Sequence, residues 1–130
     1  MAENGLIVIR SPVSVSQTID RVVAGAQKRG LLIFARIDHG RGAAEAGMTL
    51  RPTELVIFGH ARGGTPLMQD NQSAGIDLPL KMLAWQDGDG AVWLGYNDMA
   101  WIDKRHGLKD SNVAAAIAAA LAKIAEEATR

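Results

Sequence analysis

Asp87-Gly88-Asp89-Gly90 separates two apolar runs of strand length, Leu80 to Gln86 and Ala91 to Asn97, and so commits the middle of the chain to a β-hairpin. Within those runs Leu83 and Trp85 share one face, as do Val92, Leu94 and Tyr96, because side chains alternate along a strand. The turn opens like a calcium loop. Ala91 then stands where a ligand is needed and no glutamate closes the twelve-residue pattern, so the segment reads as a turn.

Around this hairpin the chain alternates between two periodicities. Leu6 to Arg10, Leu31 to Ile37 and Glu54 to Gly59 are short β-type runs. Between the first two, Ser14 and Gln17 have capping-box spacing, and Ile19, Val22, Val23 and Ala26 recur as the buried stripe of a helix that ends at Gly30. His39-Gly40-Arg41-Gly42 reads as a turn leading into a short helix closed by Gly47. Thr65-Pro66 predicts a helix from Pro66 to about Ser73 with Thr65 as its cap. Met99 to His106 predicts a short helix broken at Gly107, and a longer helix follows from Asp110 or Ser111 with Val113, Ile117, Leu121 and Ile124 on its buried side. The order is β-α-β-(α)-β-α-β-β-α-α in 130 residues, a length that suits one domain spanning 1–130.

Several classes of function are excluded by what the chain lacks. It has no cysteine, which removes disulfides, thiolate metal sites and cysteine nucleophiles and fits a reducing compartment. Fourteen basic residues balance fourteen acidic ones, so no net positive field draws the chain onto nucleic acid. The start, Met1-Ala2-Glu3-Asn4, carries no basic export region, and the longest apolar run, Val113 to Ala122, is about half the roughly 20 residues that span a bilayer. No nucleotide-binding glycine motif or nucleophile elbow is present. The expectation is a cytoplasmic protein with no membrane or nucleic-acid partner and no cofactor.

The three histidines, His39, His60 and His106, are too far apart in sequence to ligate one metal from one helix, and no metal site is expected. Asp38-His39 stands at a strand end, where side chains often line a cleft, although the aspartate would equally cap the next backbone turn. His60 precedes Arg62-Gly63-Gly64, whose backbone N–H groups would suit either an anion or a plain turn.

Four successive segments carry a resemblance: Thr65-Pro66-Leu67-Met68-Gln69, Ile76-Asp77-Leu78-Pro79-Leu80-Lys81, Trp93-Leu94-Gly95-Tyr96-Asn97 and Arg105-His106-Gly107-Leu108. With Asp38-His39, they resemble the domain-of-unknown-function family numbered 302, over roughly residues 5 to 125. The resemblance implies an α+β fold, an antiparallel sheet of about five strands with helices packed on one side, often dimeric, and no established reaction. One departure stands out: His60-Ala61 occupies the place of an asparagine-proline pair, so nothing tied to that turn is carried over.

Lys81, Tyr96 and Asn97 lie on the hairpin strands inside these motifs and would project polar groups into a pocket walled by Met68, Trp85 and Trp93. Asp38, His39, Lys81, Tyr96 and Asn97 are therefore the candidate ligand-binding residues of a homodimeric module for a small, partly apolar molecule. The alternatives are an enzyme using Asp38 and His39 as an acid–base pair, and a protein-interaction subunit without a pocket.

Overall fold

The computed structural model describes residues 4–130; the reading of Met1-Ala2-Glu3 as free of an export signal lies outside them. The elements are β1 (Leu6–Ser11), α1 (Val15–Lys28), β2 (Leu32–Asp38), α2 (His39–Glu45), β3 (Thr53–Gly59), α3 (Ala61–Asp70), a 3-10 segment (Gln72–Asp77), β4 (Leu80–Gln86), β5 (Val92–Asn97), α4 (Met99–His106) and α5 (Ser111–Ala128). The strands form one sheet in the order β1-β5-β4-β3-β2, each neighbouring pair antiparallel. Thus β1 and β2 are the two edges, and α1 carries the chain from one to the other across the face of the sheet.

That face is the core. Val56, Phe58, Met82, Ala84, Leu94 and Tyr96 point into it and meet Ile19, Val22 and Ala26 of α1. A capping box opens α1, with the Gln17 amide donating to Ser14 Oγ at 3.1 Å and the Ser14 amide to Gln17 Oε1 at 3.4 Å. A glycine closes it: Gly30 takes φ +75, which lets the Leu31 N–H reach back to the Ala26 carbonyl at 3.0 Å. Helix α5 packs on α1, α3 and α4, burying Leu121 and Ile124 while Val113 and Ile117 stay half-buried. The helices accordingly gather on one side of an antiparallel sheet, as expected.

Two local expectations are corrected. Helix α3 begins five residues before the proline, at Ala61, with His60 as its cap rather than Thr65. His60 Nδ1 accepts the Arg62 N–H at 3.1 Å, and its carbonyl accepts the amides of Gly63 and Gly64. Once those amides are satisfied, Gly63-Gly64 continues the helix instead of turning, and Pro66 is accommodated inside it at the cost of one internal bond. His60 and Ala61 thereby take the N-cap and first helical positions, the places that asparagine and proline favour. Helix α2 begins directly at His39 because Asp38 caps it, accepting the Arg41 amide at 2.9 Å. Each apolar set of the hairpin keeps to one face: Val92, Leu94 and Tyr96 face the helices, and Leu83 and Trp85 lie on the opposite side of the sheet.

Candidate functional site

Where the end of β3, α3, the start of β4 and α5 converge beside the β2 edge, a cavity of about 330 Å3 opens. Its apolar walls are Leu31, Phe34, Met68, Leu78, Pro79, Leu80, Ile117 and Ala120, and His60, Gly63, Gly64 and Thr65 bring the first turns of α3 to its margin. Small residues make the room. Nothing lies within 4 Å of a Cβ built on Gly63, and one on Gly64 would only just touch Leu78 and Met68. Phe34 reaches this wall from an irregularity in β2, where the register slips between Ile33 and Ala35 and re-aims the intervening side chain. The volume falls at the lower end of the range of small-molecule sites, which are mostly apolar with a few polar groups.

A second, polar cluster lies beside it, between the 3-10 segment and α4. His106 is buried, its Nε2 2.6 Å from Asp77 Oδ2 and its Nδ1 2.8 Å from Ser73 Oγ. Arg105 Nη1 donates to the same Asp77 carboxylate at 3.1 Å, and Asn71 Nδ2 donates to the His106 carbonyl at 2.6 Å. Serine, histidine and aspartate in series have the elements of a nucleophile relay. Their bonds, however, tie the middle of the chain to its C-terminal helices: Asn71 also caps the 3-10 segment, and Asp70 accepts the amides of Lys109 and Asp110. The Asp77-containing and His106-containing motifs, which stand well apart in sequence, meet in this cluster.

None of the five residues singled out from sequence lines the 330 Å3 cavity. Asp38 and His39 are exposed at the end of edge strand β2, three strands from the β5 strand that carries Tyr96 and Asn97. Tyr96 is a core residue, 6% exposed, and burial followed by the nearby Asp98 charge pushes its phenol above the ordinary range. Lys81 and Asn97 do come together, with Asp77, around a crevice of about 10 Å3, too tight for anything larger than a water molecule. The cap of α4 is Asp98, not Asn97.

Of the three expected walls, Met68 lines the cavity, while Trp85 and Trp93 lie on the far side of the sheet. Trp93 donates to Asp87 at 2.8 Å, and that bond, ahead of the Ala91 and Asp89 amides, holds the Asp87 carboxyl below its usual range. Its oxygens are engaged in closing the hairpin. Trp101 packs over Gly5, where any Cβ would come within 2.4 Å of the ring. No group of three or more histidine, aspartate or glutamate side chains placed to hold a metal occurs among the described residues.

A five-stranded antiparallel sheet with its helices gathered on one face defines an α+β sheet-and-helix domain. Within that class the chain belongs to the family described as domain of unknown function DUF302, whose model matches residues 7–128. An uncharacterised conserved protein of this family from Bacillus stearothermophilus has the same fold, with a TM-score of 0.83 at 17% identity over 97% of this chain and 98% of that one. The chain is also 53% identical over 106 residues to proteins named fluoride-specific ion channel FluC 1 from Brucella suis biovar 1 and Brucella abortus biovar 1. The match takes in 82% of this chain but only 42% and 39% of those proteins, so the chain spans about two fifths of the length of the curated relatives it matches. Among the described residues no helix is long and apolar enough to cross a membrane.

Proposed function

We propose that this chain is a single-domain, cytoplasmic, homodimeric module that binds a small, largely apolar molecule between sheet and helices. The observation that carries the reading is the 330 Å3 cavity, with its walls of Phe34, Met68, Leu78, Leu80 and Ile117 and its small residues, Gly63, Gly64 and Ala120, leaving the space open. Absence of cysteine supports the reducing compartment. Ligand discrimination would come from shape and apolar contact, with His60 and Thr65 supplying the polar groups at the margin. The Asp38 and His39 acid–base alternative has weaker support, because the Asp38 carboxylate is engaged in capping α2.

The test is a calorimetric titration with 2-naphthol, a bicyclic probe of suitable size, against the protein and an Ala120→Phe variant that fills the cavity. We expect binding to the unaltered protein and at least a tenfold loss in the variant at unchanged thermal stability. Equal binding by both would remove the cavity from consideration. A second reading, an interaction subunit that works through its surface, is favoured by the relatives in which the matched region is accompanied by further chain; a co-purifying polypeptide in place of a small molecule would support it.

A further inference from the structure

Among the described residues no second sheet packs on the face of the sheet opposite α1. Because Val56, Met82, Ala84, Leu94 and Tyr96 point to the core, their strand neighbours point outward. The register sets Val8, Gly95, Leu83, Leu55 and Ile37 side by side in one row across all five strands. The row holds no charge, and its two ends are open to solvent, with Val8 at 43% and Ile37 at 38% exposure. Next to it Trp85 and Trp93 are paired, and the Trp85 ring lies against Gly95, where a Cβ would come within 2.8 Å.

We infer that this sheet face is the surface on which two copies of the chain meet; the inference rests on the homodimer reading above and names its interface. Five strands about 4.8 Å apart and three outward rows about 6.8 Å apart give a footprint of roughly 24 by 20 Å. That is about 480 Å2 in plan, and with side-chain relief its accessible area approaches the roughly 800 Å2 per partner of a stable interface. A second copy fits because a face paired with itself must bury no unpaired charge. The central row satisfies that requirement, and the basic residues Arg10 and Lys81 stand in the two flanking rows, toward the rim of the footprint where charge keeps its water. Stacking bases on the tryptophans is disfavoured: the Arg10 guanidinium already lies 5.6 Å over the Trp93 ring, Trp93 is bonded to Asp87, and Trp85 is pressed on Gly95. Two such faces would pack about 10 Å apart, as in a sandwich.

Leu83 sits mid-row on the central strand, so it would lie near the twofold axis. Sedimentation equilibrium is the measurement, on the unaltered protein, on Leu83→Glu and on the control Ile76→Glu, which alters an exposed side chain of the 3-10 segment. We expect a dimer, a dissociation constant raised at least 100-fold by Leu83→Glu, and no change in the control. Should Leu83→Glu fail to fold, Leu83→Cys serves, since the chain has no other cysteine: a short bismaleimide should couple two copies through it but not through Lys123→Cys on the exposed side of α5. A dimer that tolerates Leu83→Glu and is not coupled through Leu83→Cys would overturn the interface while sparing the homodimer reading. A protein monomeric at all concentrations would overturn both.

Discussion

Gly95 is a residue whose identity is decided by a neighbour rather than by its own backbone. A methyl group there would come within 2.8 Å of Trp85 Cζ3 and 3.0 Å of Cη2, so Gly95→Ala must displace a rigid ring held between adjacent strands. We expect a loss of about 1–3 kcal/mol, the usual cost of overpacking, read from the urea midpoint with tryptophan fluorescence following the ring. Nothing in Trp-Leu-Gly-Tyr-Asn announces this requirement, because Trp85 lies on the other arm of the hairpin. His60 teaches the reverse lesson: its role as a cap is local, made with Arg62 and its own carbonyl, yet histidine is a weak cap signal and the glycines after it suggested a turn.

Helices α1 and α5 are joined by the bidentate pair of Arg29 and Glu127, at 3.0 and 2.8 Å. The Arg29 hydrogen bonds hold the Glu127 carboxyl at about 2, below its ordinary 4.5. A carboxyl depressed in the folded state contributes stability above its unfolded value and loses it as pH falls through the folded one. The advantage of the unaltered protein over Glu127→Gln should therefore be full at pH 5 and vanish toward pH 2; urea unfolding at several pH values checks this, and a constant difference would contradict it. Each helix could be drawn from its own periodicity and caps. Their pairing could not, since the two partners are 98 positions apart.

For the molecule as a whole, the decisive polar feature is the clamp formed by Asp70, Asn71, Ser73 and Asp77 on the C-terminal helices. Asp77→Ala leaves His106 buried without its carboxylate and Arg105 without its acceptor. We expect a loss of about 2–3 kcal/mol, typical of a buried hydrogen-bonding group left unpaired, with faster hydrogen exchange in the 3-10 segment and α4 as the local signature. Full protection there would show that the clamp contributes little.

Element type and order were determined by the sequence itself, because period-2 and period-3.6 apolar patterns, Ser14 with Gln17, and the glycines at 30, 90 and 107 act within a few residues of one another. Strand limits agree to within a residue for the same reason. Tertiary structure alone decided which face of each strand is covered, since a single step of register exchanges the two faces. It also decided that the cavity lies at Gly63, Gly64 and Ala120 rather than near Tyr96, that Tyr96 belongs to the core, and that Asp77 meets His106. Those are contacts between residues distant in sequence, set by chain topology, and no local pattern encodes them.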